Sequence, residues 1–104
     1  MPLRVRVCRS DEVAEGEVEA FAVEGVAWPV LVARLDGELF ATTSRCPHGE
    51  VSLARGIRRG TEITCPGHGY VFDLATGACR HDPRLALPRY RITQIDGDVY
   101  VDLL

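Results

Sequence analysis

The sequence turns on residues 46–69, where Cys46-Pro47-His48-Gly49 is followed by Cys65-Pro66-Gly67-His68-Gly69, with sixteen residues between His48 and Cys65. Each stretch sets a proline directly after a cysteine, then a histidine, then a glycine. Proline fixes φ and offers no N–H. Glycine reaches backbone angles closed to other residues, so a loop can turn tightly around a bound group. Two such loops facing each other present two thiolates and two imidazoles. Thiolates suit iron–sulfur clusters and zinc, and imidazoles suit iron, zinc and copper. A tetrahedral zinc site could use the same four side chains, but zinc sites usually open with a cysteine pair, whereas each loop here mixes cysteine with histidine. A metal-free core of buried cysteines and satisfied histidines would suit one such pair better than two matched ones.

Outward from these loops the chain reads as β. Leu3–Val7 alternates apolar and basic residues. Ser10–Glu17 is polar, with Ser10 a candidate cap for a short helical turn. Val18–Val23 and Pro29–Leu35 read as strands, the second almost continuously apolar. Asp36-Gly37 joins it to Glu38–Thr42, and Asp96-Gly97 joins Arg89–Ile95 to Val99–Leu103. Asp-Gly between two such runs signals a two-residue hairpin, because both residues tolerate positive φ. Between Thr43 and Pro88 glycines and prolines break the periodicity, leaving short strands at Glu62–Thr64 and Tyr70–Asp73. A long irregular segment in a compact domain is usually functional or disordered, and this one is too apolar for disorder. The expected organisation is one all-β domain over 1–104, with an antiparallel basal sheet from 1–42 and 89–104 and a loop-rich insert at 43–88.

The bulk properties agree. A chain of 104 residues has room for one core. A formal net charge of −3 argues against a nucleic-acid partner. No apolar run is long enough for a membrane span, and the start lacks the apolar centre of a signal peptide, so a cytoplasmic protein is expected. Asp11, Glu12, Glu15, Glu17, Glu19 and Glu24 crowd the first quarter, either as a solvated face or as a docking patch for a basic partner. Arg45, Arg55, Arg58 and Arg59 make the rim of the insert basic, by solvation or for an acidic partner.

With Cys46, His48, Cys65 and His68 spaced C-x-H and C-x2-H, the sequence resembles the Rieske family, and the resemblance runs from about Leu3 to Leu104. It implies a Rieske fold with one [2Fe–2S] cluster, both cysteines on one iron and both histidines on the other. Respiratory and photosynthetic members add a disulfide beside the cluster, but those positions here hold Val51 and Gly67. The family's serine and tyrosine hydroxyl positions hold Tyr70 and Phe72. Fewer donors leave the reduced cluster less stabilised. The implied potential lies nearer about −150 mV than about +300 mV.

The chain is most similar to the small bacterial Rieske ferredoxins. These take single electrons from a flavin-containing NAD(P)H reductase and pass them to a terminal oxygenase. The resemblance thus implies an electron carrier rather than an enzyme. No G-x-G-x-x-G follows a strand to bind a nicotinamide, and no 2-His-1-carboxylate iron site is evident. An alternative with the same fold is the small subunit of an assimilatory nitrite reductase, which sometimes lacks the ligands. Cys8 reads as a small buried hydrophobe, Cys79 as packing behind the second loop, His81 as a surface residue and Trp28 as a cap on the core. A Cys8–Cys79 disulfide is disfavoured in the cytoplasm. Residues 82–88 stand where the family has a proline-containing loop over the cluster.

Overall fold

The computed structural model describes residues 3–47, 49–67 and 69–103. Nine strands follow in chain order: β1 (Arg4–Arg9), β2 (Val18–Phe21), β3 (Val30–Leu35), β4 (Glu38–Thr43), β5 (Ile57–Arg59), β6 (Glu62–Thr64), β7 (Val71–Asp73), β8 (Arg91–Ile95) and β9 (Asp98–Asp102). They form three antiparallel three-stranded sheets, ordered β1-β9-β8, β2-β3-β4 and β5-β6-β7. A bridge between Ala41 and Tyr90 ties β4 to the segment leading into β8, with the Tyr90 N–H donating to the Ala41 carbonyl at 2.9 Å.

The almost unbroken apolar run of β3 has a direct structural reason. Side chains alternate across a strand, and both faces of β3 are buried. Val30 and Val32 enter one core with Val7, Cys8, Val13, Ala41, Val99 and Val101. Leu31, Ala33 and Leu35 enter a second core with Cys46, Leu53, Ile63, Cys65, Phe72, Leu74, Cys79 and Leu87. The β2-β3-β4 sheet is therefore the middle layer, with β1-β9-β8 below it and the β5-β6-β7 region above. Arg34 is the one polar residue of β3. Its guanidinium donates to the Val13 and Ser10 carbonyls at 2.8 Å each and to the Ser10 Oγ at 2.6 Å.

Both Asp-Gly hairpins form as read. Asp36 and Gly37 have φ of 53° and 78°, and Asp96 and Gly97 have 50° and 83°. The first turn is held from outside as well: the Glu15 carboxylate accepts the Asp36 and Gly37 N–H groups at 2.8 Å each. In β1 the register shifts between Arg6 and Cys8. This bulge lets the consecutive residues Val7 and Cys8 both turn inward.

Three expectations need correction. Ser10 opens a 3-10 turn at Ser10–Glu12 but does not cap it, since Arg9 holds that position and the Ser10 hydroxyl is taken by Arg34. Trp28 sits in the irregular segment before β3, half-buried, and packs into neither core. β5 and a 3-10 turn at Leu53–Arg55 stand where only loop was read, because three residues between Gly56 and Gly60 are too few to show a period. Among the described residues no helix is long and apolar enough to cross a membrane.

Candidate metal centre

The two cysteine loops are built alike. Arg45 and Ser52 form a bridge that closes the first, and the Thr64–Val71 pair of β6 and β7 closes the second. Inside the first, the Cys46 N–H donates to the Val51 carbonyl at 3.0 Å, and the Gly49 N–H returns to the Cys46 carbonyl at 3.1 Å. Inside the second, the Cys65 N–H donates to the Tyr70 carbonyl at 2.7 Å, and the Gly69 N–H returns to the Cys65 carbonyl at 3.1 Å. In each case cysteine is pinned to the residue five positions on, and the glycine after the histidine folds back onto the cysteine. Both stretches run six residues from the cysteine to its partner, Cys46 to Val51 and Cys65 to Tyr70, and in sequence the histidine stands one place later in the second. Val51 and Tyr70 were not singled out as loop-closing partners, because main-chain pairing leaves no side-chain signature.

Cys46 and Cys65 are 0% and 1% exposed and belong to one buried cluster with Leu53, Ile63, Phe72, Leu74 and Leu87. His48 and His68 lie outside the described residues. Behind the second loop, Phe72 and Cys79 form a bridge, which places Cys79 in the same cluster as Cys65, as the sequence suggested. Cys8 lies in the other core, and both Cys8 and Cys79 are free thiols. Burial, with the Glu12 carboxylate adding to it, pushes the Cys8 thiol up to about 11. His81 is exposed and meets the Tyr70 ring edge-on, with ring centres 5.9 Å apart.

The covering segment is tied down by Gly77, whose φ is +83°. A Cβ there would lie 2.5 Å from the Leu87 carbonyl oxygen, and the Leu87 N–H donates to the Gly77 carbonyl at 2.7 Å. Leu85 and Leu87 pack onto the cysteine-bearing core. Farther out, Arg84 clamps Asp82 through two 3.0 Å bonds, and these hold the Asp82 carboxyl below its ordinary value.

A Rieske [2Fe-2S] domain is matched by residues 4–91. The chain belongs to that family. As a Rieske protein it carries one [2Fe–2S] cluster, and the donors fit: two thiols shielded from water in one core, each on a pre-folded loop, with an imidazole in each loop's sequence. The fit departs from the respiratory type at Phe72, which is fully buried and has no hydroxyl to donate.

Relatives point the same way. The ferredoxin component of the p-cumate 2,3-dioxygenase system of Pseudomonas putida is 35% identical over 101 residues, covering 95% of this chain and 85% of that protein. The Sphingomonas yanoikuyae B1 ferredoxin superposes with a TM-score of 0.87 at 37% identity, covering 98% of this chain and all of that one. A solved complex of reduced oxygenase and oxidised ferredoxin in carbazole 1,9a-dioxygenase contains a chain with a TM-score of 0.83 and 31% identity, covering 95% of this chain and 92% of that one. The NADH-dependent nitrite reductase small subunit of Mycobacterium tuberculosis superposes with a TM-score of 0.81 at 24% identity, covering all of this chain and 97% of that one. That likeness shows the shared fold alone.

Proposed function

We propose that Cys46, His48, Cys65 and His68 hold the cluster, with the cysteines on one iron and the histidines on the other. In this reading residues 43–88 are the cluster-binding insert of a single Rieske domain spanning 1–104, and 1–42 with 89–104 are its base. The protein carries single electrons in the cytoplasm from a flavin-containing, NAD(P)H-dependent reductase to a terminal oxygenase. One observation carries this: two loops whose histidines stand at different spacings from cysteine share one main-chain frame and bury both thiols in one core.

The group so held supplies a one-electron couple whose potential the surrounding chain sets. The chain's own contribution is positional. The Cys46 and Cys65 loops are each pinned by main-chain hydrogen bonds that fix where the thiols sit. Leu53, Ile63, Phe72 and Leu87 keep water from the sulfur ligands, and exclusion of solvent is one of the levers on potential. The ferredoxin component of the p-cumate 2,3-dioxygenase system is 35% identical to this chain and the nitrite reductase small subunit 24%, which favours the oxygenase over nitrite reduction.

The test is the electron paramagnetic resonance spectrum of the dithionite-reduced protein. Mixed nitrogen and sulfur ligation lowers the average g value below that of an all-cysteine cluster. His48→Ala and His68→Ala are each expected to abolish that signal. A spectrum unchanged in either variant refutes the ligand assignment, and colourless, iron-free protein refutes the carrier.

A further inference from the structure

Thr42, Thr43 and Ser44 follow one another where the chain runs from β4 toward Cys46, and their three hydroxyls differ. The Thr43 Oγ1 accepts the Arg45 N–H at 3.2 Å. The Thr42 and Ser44 hydroxyls are buried, the residues being 5% and 0% exposed, and neither has a hydrogen-bond partner. Among the described residues they are the buried side-chain oxygens left in that condition. Native chains rarely bury a hydroxyl unpaired, and a redox role is among the recognised causes where they do.

The backbone decides which way these side chains face. Thr42 stands opposite Leu31 in the β3–β4 register, and Leu31 enters the cysteine-bearing core. Beyond β4 the chain stays extended. The Ser44 N–H donates to the Pro29 carbonyl at 3.0 Å, the Ser44 carbonyl accepts the Leu53 N–H at 2.7 Å, and the Arg45–Ser52 bridge carries the pairing on to Cys46. Side chains alternate along such a stretch, so Thr42, Ser44 and Cys46 share one face. The burial pattern repeats this: those three are buried, and Thr43 and Arg45 between them are half-buried. Ser44 is therefore the neighbour of Cys46 on the core face, about 6.6 Å back along the strand. Both its main-chain groups are bonded, so the hydroxyl is the one donor of Ser44 still without an acceptor. A thiol sulfur accepts weakly, whereas a hydrogen bond to an ionised acceptor is about twice as strong as a neutral one. Metal binding removes the cysteine proton, so a strong acceptor arises on this face when Cys46 is ligated.

We infer that the Ser44 hydroxyl is a hydrogen-bond donor to the negatively charged sulfur at the Cys46 end of the cluster, and that it stabilises the reduced form. It acts from the strand that enters the first loop rather than from positions 70 and 72 of the second. This rests on the ligand assignment proposed above.

The midpoint potential of the cluster-loaded protein tests it. Ser44→Ala is expected to keep the Rieske visible and resonance spectra while its equilibrium constant for reduction falls about tenfold, the low end for a hydrogen bond to a charged group. For one electron that lowers the midpoint by about 59 mV. Thr42→Val removes the other unpaired hydroxyl, two residues farther from Cys46, and keeps the side chain's shape. It is expected to leave the midpoint unchanged. Ser44→Thr and Ser44→Val form a second pair, alike in shape and different only in the hydroxyl, for the case in which the alanine variant loads poorly. The threonine variant is expected to keep the parent midpoint and the valine variant to lower it. A cluster held by threonine and lost from both alanine and valine supports the proposal as well, since the hydroxyl alone distinguishes them. Three results overturn it: an unchanged midpoint in Ser44→Ala, an equal fall in Thr42→Val (the mark of a water shared by both hydroxyls), or equal behaviour of the threonine and valine variants, loss of the cluster from both included. Absence of the Rieske signal from the parent protein instead condemns the ligand assignment.

Discussion

The two faces of β3 look onto cores of different construction. Below it, β1, β8 and β9 are strands of five or six residues whose main chains pair along their length, and their core is chiefly valine. Above it, β5, β6 and β7 are three residues each, and their core includes three cysteines. The lower layer satisfies its backbone by its own pairing and buries its surface against β3. The upper layer has little ladder and depends on what its thiols grip. Stability in this protein is thus local in origin, and bound metal is part of the upper core as much as a redox device.

The largest expected effect is on that dependence. Cys46→Ser and Cys65→Ser should each lose the cluster's visible absorption entirely. Amide exchange should then lose protection across 43–88 while β1, β8 and β9 keep theirs. Equal loss in both layers would erase the distinction drawn here.

Next come the cores themselves. Phe72→Ala should cost about 3–5 kcal/mol in denaturant unfolding and release the cluster. Val101→Ala should cost about 2 kcal/mol and leave the spectrum intact. Reversal of that order would mean the upper core is the better packed.

A finer measurement is the midpoint potential, expected near about −150 mV. Phe72→Tyr, which restores the hydroxyl found at this position in respiratory relatives, should move it upward by on the order of 60 mV, a tenfold step for one electron. A midpoint well above zero in the parent protein would contradict the missing-donor argument.

The smallest effect belongs to Cys8. Its thiol is raised from 9.0 to about 11, so the folded state keeps a proton that the unfolded chain releases. The stability this contributes is whole below pH 9 and is lost as pH rises through about 11. Iodoacetamide at pH 8 should leave Cys8 unmodified until the protein is unfolded. Alkylation of the native protein would place Cys8 outside the lower core.

How much of this was legible depends on where the information lies. The Asp-Gly turns and the apolar run of β3 are local and chemically loud, and they were read correctly. The two-sided burial behind that run comes only from packing. β5 was invisible because its three residues carry no period, and its pairing depends on β6. Trp28 misled because size suggests burial, whereas the chain around it is irregular. At the metal centre the four candidate ligands were read from spacing. The structure adds the matched hydrogen bonding around Cys46 and Cys65 and their common core, while His48 and His68 fall outside the described residues.

The pairing of β1 with β9 joins Arg4 to Asp102, almost the whole length of the chain apart. During synthesis the β2-β3-β4 meander can assemble as soon as Thr43 has emerged. The valine face of β3 cannot be sealed until β9 has left the ribosome. Nascent chains therefore carry an uncovered apolar sheet from the emergence of Thr43 to that of β9, so a chaperone that recognises such a sheet would have its opportunity there.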